Sequence, residues 1–363
     1  TGAPHHLFTY CLDIALNYLK IKVYYLYGNA FDGRCLIVEG IQKKNMVHLT
    51  DYSAGRVIDD YVSRVQQNVT YTPQDSRNAL DPYLHKSRVY AIFLHLRFMF
   101  AQFRLRFKKQ QFCGDVRKIN LKLPFIGFFQ LISIMSEQRK YLAILKAAGT
   151  FDLSQIQPDD VVYVGHMMPE ATSFPESPNY PDEIDVLIDL KSRFPQSKIF
   201  YREHPAIKIF SEFGHIHFQG LHKSSAFYRE MERIGVAVIP NSLHISDLRD
   251  RGCLFATKTG RVAVENSILG IPTIVYGFPF YGVNLPLTSH VSSLTSHCSV
   301  ESIKNDAKAV ANPAALVKNY LVPIFSGSIV NPGISVAGNP NTRVEFELTF
   351  VRLIEQLAIE TIV

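Results

Sequence analysis

Between residues 161 and 276, five short apolar runs alternate with helical stretches, and this rhythm restricts the fold more than any other feature of the chain. The runs are 161–164, 197–201, 236–239, 254–256 and 273–276. The helical stretches are 182–193, 224–233, 245–251 and 261–269. Short strands alternating with helices predict a doubly wound, mostly parallel α/β sheet. A sheet of that kind binds ligands outside the carboxyl ends of its strands.

Three polar signals sit where strands run out. Gly165-His166-Met167-Met168-Pro169-Glu170-Ala171-Thr172 follows the first run, Arg202-Glu203-His204-Pro205 the second, and Thr257-Lys258-Thr259-Gly260 the fourth, with Glu265 just beyond. In His204-Pro205 the proline limits the backbone of the residue before it, so the imidazole is held at the loop mouth, where it can bind a phosphate. The turn 257–260 runs from a strand into a helix and offers hydroxyls, a glycine and free helix-start amides to an anion. Its spacing is neither that of a P-loop nor Gly-x-Gly-x-x-Gly, and capping hydroxyls are common in such loops. Glu265, on the helix that follows, reaches toward a ribose or is a solvated helix residue. Glu170 stands among Pro169, Met167 and Met168, which partly desolvate it and raise its pKa, so it is the candidate catalytic carboxylate. Asp182 and Asp185 are its rivals, although Asp182 reads as a helix start.

The rest of the chain is less regular. A helix over 7–19 followed by a strand over 21–27 reads as half of a βαβ unit, and 36–38 as a further short strand. Residues 42–82 read as loop with one helix near 57–66. A helix follows over 124–146, then a linker over 149–160 that sets a domain boundary near 150. Helices are expected over 304–310 and 314–320, a loop over 323–340, and a last amphipathic helix over 343–359. The 363 residues, 47% of them apolar, suffice for two cores and exclude a disordered chain. The sequence opens on a helical pattern without an initial Met, which reads as a nucleotide fold lacking its first strand.

Net charge is +6, which suits an anionic partner. The segment 88–109 interleaves five phenylalanines with Arg97, Arg104, Arg106, Lys108 and Lys109. Its charges exclude a transmembrane span and leave two readings, a core helix with a solvated basic edge or a helix lying on an anionic membrane. With the basic residues gathered in one apolar-rich helix and no nucleic-acid motif, no nucleic-acid partner is expected. Five cysteines without a Cys-x-x-Cys pair indicate ordinary thiols and a cytoplasmic location.

On these loops, and on Gly270-Ile271-Pro272-Thr273-Ile274-Val275-Tyr276-Gly277 with Pro279-Phe280-Tyr281, residues 161–281 resemble the bacterial capsule and surface-polysaccharide glycosyltransferases that include the Kdo (keto-deoxyoctulosonic acid) transferases. Pro4-His5 ahead of the first helix resembles that group's first domain more faintly. The resemblance implies a GT-B fold, two Rossmann-type domains facing across a cleft: an acceptor-side domain over 1–150, a nucleotide-sugar domain over 151–340, and a helix over 341–363 returning to the first domain. It implies a nucleotide-sugar donor, CMP-Kdo in that branch, and a glycan or lipid-linked glycan acceptor at the inner face of the cytoplasmic membrane. No metal or other cofactor is implied, since basic groups and helix amides meet the leaving phosphate. His204, Arg202 and the Thr257, Lys258, Thr259 and Gly260 turn would hold that phosphate, and Glu265 and Pro240 would meet ribose and base.

In retaining Kdo transferases an aspartate matching Glu170 looks like the nucleophile; here the residue is glutamate, preceded by Pro169 rather than an acid. A retaining route would use Glu170 as nucleophile, with CMP leaving against His204 and Thr259. An inverting route would need a base from the first domain, His5 or Asp13. Competing readings are a GT-B-fold sugar-nucleotide epimerase, a transferase using a UDP-sugar, and a non-enzymatic membrane-binding module built on 88–109.

Overall fold

The computed structural model describes residues 7–28, 34–39, 45–46, 55–67, helical positions between 136 and 148, and residues 151–166, 176–204, 224–240, 243–279, 281–326 and 329–330. His5, Glu170, Pro205, the basic segment 88–109 and the helix over 343–359 lie outside the described residues. The chain begins with α1 (Leu7–Tyr18), β1 (Tyr24–Gly28), β2 (Arg34–Glu39), β3 (Asn45–Met46) and α2 (Gly55–Gln66). The expected helix and strand follow one another as α1 and β1, and the next strand turns back: β1 and β2 pair antiparallel, Tyr24 opposite Glu39 and Gly28 opposite Cys35. Only residues 29–33 join them, and a parallel crossover needs about a dozen residues or more. β3 also pairs antiparallel with β2.

From residue 161 the expected rhythm is present almost element for element. The order is β4 (Val161–Val164), α3 (Glu183–Arg193), β5 (Ile199–Arg202), α4 (Ser225–Arg233), β6 (Val236–Ile239), α5 (Ile245–Arg249), β7 (Leu254–Thr257), α6 (Val262–Ile268) and β8 (Thr273–Val275). Asp182 caps α3, its carboxylate accepting the Ile184 amide at 3.0 Å, so this rival to Glu170 is a helix-start residue. A strand not expected from the sequence, β9 (Thr288–His290), extends the edge; α7 (Val300–Lys308), α8 (Pro313–Ser326) and β10 (Ile329–Val330) follow. The six strands run parallel in the order β6-β5-β4-β7-β8-β9. Two three-strand halves are wound outward from β4 and β7, which is the Rossmann strand order.

Side chains of period two divide the core between the sheet faces. Val161, Tyr163, Ile199, Tyr201, Leu254, Ala256 and Ile274 pack with α3 and α4 on one face. Val162, Phe200 and Phe255 point to the other, against Ile156 and Leu248. α2 belongs to that second side. Its stripe Ile58, Tyr61, Val62 and Val65 is buried with Ala263, Val264 and Ile268 of α6 and Val317, Leu321 and Ile324 of α8. Each such side chain is worth roughly 1.5–3 kcal/mol when fully buried, so tertiary packing, rather than intrinsic propensity, holds α2. Residues on both sides of position 150 therefore share one core.

α8 runs through Pro323, where the sequence reads as a helix stop. The expectation of loop from 323 is corrected by Ile324, which stays in the helix and packs into the shared core. β10 then pairs with Arg34 and Cys35 of β2, returning the chain to the first sheet.

Candidate functional site at the carboxyl edge

Because parallel strands end in register, Gly165-His166, Glu203-His204 and Lys258-Thr259-Gly260 leave neighbouring strand ends in the lateral order β5, β4, β7. At a strand spacing of about 4.8 Å, the outer two ends lie about 10 Å apart. His204 and the hydroxyl-glycine turn thus share one edge of the sheet. The gap between β4 and β7, where the winding reverses, is the position at which such sheets bind ligands.

His166 closes that gap. Only 7% exposed, it sets Nε2 3.0 Å from the Thr257 hydroxyl and 3.3 Å from the Thr259 amide. A backbone N–H can only donate, so Nε2 accepts and the ring is the neutral tautomer with its proton on Nδ1. Two glycines make the fit possible. A Cβ on Gly165 would stand 2.5 Å from the Tyr201 hydroxyl oxygen, and one on Gly260 2.5 Å from the Thr257 hydroxyl. The sequence reading gave Thr259 an amide for an anion; here that amide donates to His166.

Under the loops the two sides of the sheet differ in chemistry. On the α3 side, the buried Glu183 carboxylate accepts the His166 amide and the Tyr201 hydroxyl, the latter at 2.8 Å, with the Tyr163 hydroxyl 3.5 Å away. The buried Glu203 accepts from the Tyr228 hydroxyl at 2.5 Å and from the His204 amide at 2.7 Å, and at 3.1 Å it is an alternative acceptor for the single Tyr201 proton. Burial, then the Glu183 charge, pushes the Tyr163 and Tyr201 phenols well above their usual range, so both are fixed donors. Glu203 thereby ties the half-buried His204 to the body of the domain.

On the α5 and α6 side the edge is cationic. Arg202, 9% exposed, donates from Nη2 to the Leu243 carbonyl at 3.2 Å. Arg249 donates to the Asn266 side chain at 2.7 Å and to Glu265 at 2.8 Å, and Arg261 lies 3.5 Å from the other Glu265 oxygen. Both oxygens of Glu265, expected at a ribose, are thus held by arginines. Lys258, expected at a phosphate, is fully buried and donates to the Pro181 carbonyl at 3.0 Å, pinning the segment that leads into α3. Pro240 is buried at the end of β6. The Cys253 thiol is pushed up to about 12 by burial and is no nucleophile at neutral pH.

Sequence reasoning missed Glu183, Arg249 and Arg261 as site residues. Glu183 reads as one more acid in a first helical turn, and the two arginines stand on helices that only the fold joins. An aromatic cleft was also missed: Tyr180, Tyr276, Phe278 and His290 line it at the ends of β8 and β9, with His290 stacked on Phe278 at 5.6 Å. Gly277 seals the wall between cleft and turn. A Cβ there would lie 2.7 Å from Thr259 Cγ2 and 2.9 Å from the Glu176 carbonyl oxygen. Gly277→Ala is accordingly expected to cost about 1–3 kcal/mol, read as a lowered urea midpoint at unchanged slope. An unchanged midpoint would mean that the wall yields.

Among the described residues no helix is long and apolar enough to cross a membrane. No protein-family model matches the chain, and no curated protein matches it. Two solved structures from Thermosulfurimonas dismutans are similar to it, both described as KpsC. The beta Kdo 2,7 transferase is 16% identical over 50% of this chain and 56% of its own, with a TM-score of 0.28. The beta Kdo 2,4 transferase is 16% identical over 52% of this chain and 63% of its own, with a TM-score of 0.27. The match therefore spans less than two thirds of either structure.

Proposed function

We propose that the chain is a glycosyltransferase of bacterial surface-polysaccharide synthesis that takes its sugar, Kdo from CMP-Kdo, from a nucleotide donor seated at the carboxyl edge of the parallel sheet. One observation carries the reading: His204, His166 and the 257–260 turn come together at the winding switch of a Rossmann-ordered sheet, with arginines beside them. These are the loops on which the sequence resembles the capsule-type transferases. The GT-B arrangement, with residues ahead of 150 on the acceptor side, belongs to the same proposal.

In the retaining mechanism a Glu170 oxygen attacks the anomeric carbon as its bond to the CMP phosphate oxygen breaks. The acceptor hydroxyl then displaces Glu170 and gives its proton to a base. His204 and the arginines of the edge balance the charge on the departing CMP, so the donor needs no metal. Lys258 and the Thr259 amide act as framework, in keeping with the contacts that occupy them.

Thermal unfolding of the full chain with CMP, UDP or GDP tests the donor. CMP at about 100 times its Kd should add about 2.7 kcal/mol. With CMP-Kdo and a glycan acceptor, Glu170→Gln is expected to lower transfer by about 10³-fold or more while CMP still protects. Full transfer by Glu170→Gln would remove the nucleophile from the mechanism. A wild-type chain protected by no nucleotide and transferring no sugar would end the assignment, and an isomerised sugar nucleotide formed without acceptor would make the protein an epimerase.

A further inference from the structure

Buried charge usually comes in pairs, and at this edge it does not balance. Three guanidinium groups, from β5, α5 and the start of α6, meet two carboxylates, Glu265 and Glu203. Arg249 and Glu265 form the close pair at 2.8 Å, with side chains 8% and 17% exposed. Arg261 stands at 3.5 Å from the same carboxylate. Arg202 keeps a buried donor unmet. Its side chain reaches a backbone carbonyl, its buried Nε–H meets no acceptor among the described residues, and its charged neighbours are Arg249, Glu265 and Glu203. Burial, then the like charge of Arg249, holds its guanidinium below the usual range. Leaving a buried donor unmet costs about 1–3 kcal/mol, more when it is charged, so the arrangement favours an incoming anion.

Position and shape narrow the anion. Arg202 closes β5 and Arg261 precedes the first residue of α6, at the carboxyl ends of strands that flank β4. A group between them lies at the winding switch, beside His204 and over His166. Arginine forks match the oxygens of a phosphate with paired hydrogen bonds. We propose that Arg202, Arg249 and Arg261 form a phosphate-binding site at the switch between β4 and β7, with Glu265 as the strut that spaces the guanidinium groups. The ligand class is the phosphoryl group of a nucleotide, and the site takes over the role that the sequence reading gave to Lys258. This assignment rests on the donor reading above, which it deepens by joining Arg249 and Arg261 to Arg202 in one site.

The test is calorimetric titration of the folded full chain with CMP, inorganic phosphate and cytidine, using Arg261→Gln and Arg202→Lys. Arg261→Gln removes the most exposed guanidinium of the three. Arg202→Lys keeps the charge and loses the fork. Both variants should bind CMP about tenfold more weakly or worse, with cytidine affinity within about twofold of wild type. Phosphate binding to wild type should weaken as salt is raised from about 0.05 to 0.5 M. The site is overturned if wild type binds neither CMP nor phosphate, or if the folded variants bind CMP as wild type does; should Arg202→Lys not fold, Arg261→Gln decides alone. Failure of this site and failure of the donor reading are distinguishable. Arginine variants that lose CMP, in a protein whose wild type transfers no sugar, leave the phosphate site and remove the transferase. Arginine variants with wild-type CMP binding and transfer, beside a His204→Ala variant that loses both, do the reverse.

Discussion

Glu183→Ala is expected to lower the stability of the protein by about 3–5 kcal/mol, among the largest effects of any single substitution in the domain. The carboxylate accepts from the Tyr201 hydroxyl and the His166 amide and stands at the limit of reach of the Tyr163 hydroxyl, all of them buried. Tyr201 keeps Glu203 as an alternative acceptor, whereas the His166 amide loses the Glu183 oxygen to which it donates. Each buried donor left unmet costs about 1–3 kcal/mol, and the vacated volume adds a cavity term. Glu183→Gln keeps the volume and one carbonyl acceptor, so it should cost less than half as much. Urea unfolding of the three proteins at one pH measures the series. A Glu183→Ala loss below about 1 kcal/mol would mean that the loop and phenols repack around the gap.

The consequence for the site is spatial. Glu183 holds the backbone of His166, and the His166 ring holds Thr257 and Thr259. The turn beside the arginines is thus positioned from the opposite side of the sheet, through one imidazole. Loss of nucleotide affinity in Glu183→Ala beyond what partial unfolding explains would be the signature of that link.

The parallel half was legible in the sequence because its strands are buried on both faces and read as unbroken apolar runs: Val161, Val162 and Tyr163 are all fully buried. Its helix starts were legible too, since Asp182 and Ser224 sit at the caps. β9 was not: Thr288, Ser289 and His290 form an edge strand of half-buried polar residues with no apolar pattern. Nor was the antiparallel pairing of β1, because helix followed by strand fits both topologies until the short connection decides between them. The carboxyl edge was legible as a set of loops, and the division of labour within it was not. Lysine in a hydroxyl-glycine turn reads as an anion ligand, and only packing reveals that Lys258 is turned inward to Pro181. Arg249 and Arg261 meet at Glu265 from two different helices, and that convergence is a property of the fold alone.

Glu176→Gln is expected to be more stable than the wild type at pH 8 than at pH 5, with the gap growing as pH rises. Glu176 is 1% exposed, and burial pushes its carboxyl well above the usual value of 4.5. The folded state keeps a proton that the unfolded chain gives up, so this group's contribution is fully present below about pH 4.5. It is lost as the pH climbs toward the raised folded value. Across that window the wild type should lose about 1.4 kcal/mol per pH unit relative to the variant, whose neutral amide has no proton to lose. The same segment is anchored through the Glu176 carbonyl, which accepts the Phe278 amide at 2.8 Å, and through Pro181 on Lys258. Ionisation of Glu176 therefore strains the wall between the aromatic cleft and the turn at Gly277. Urea midpoints of both proteins at pH 5, 6, 7 and 8 decide the matter. Diverging lines are expected, and parallel lines would mean that Glu176 ionises inside the fold without penalty.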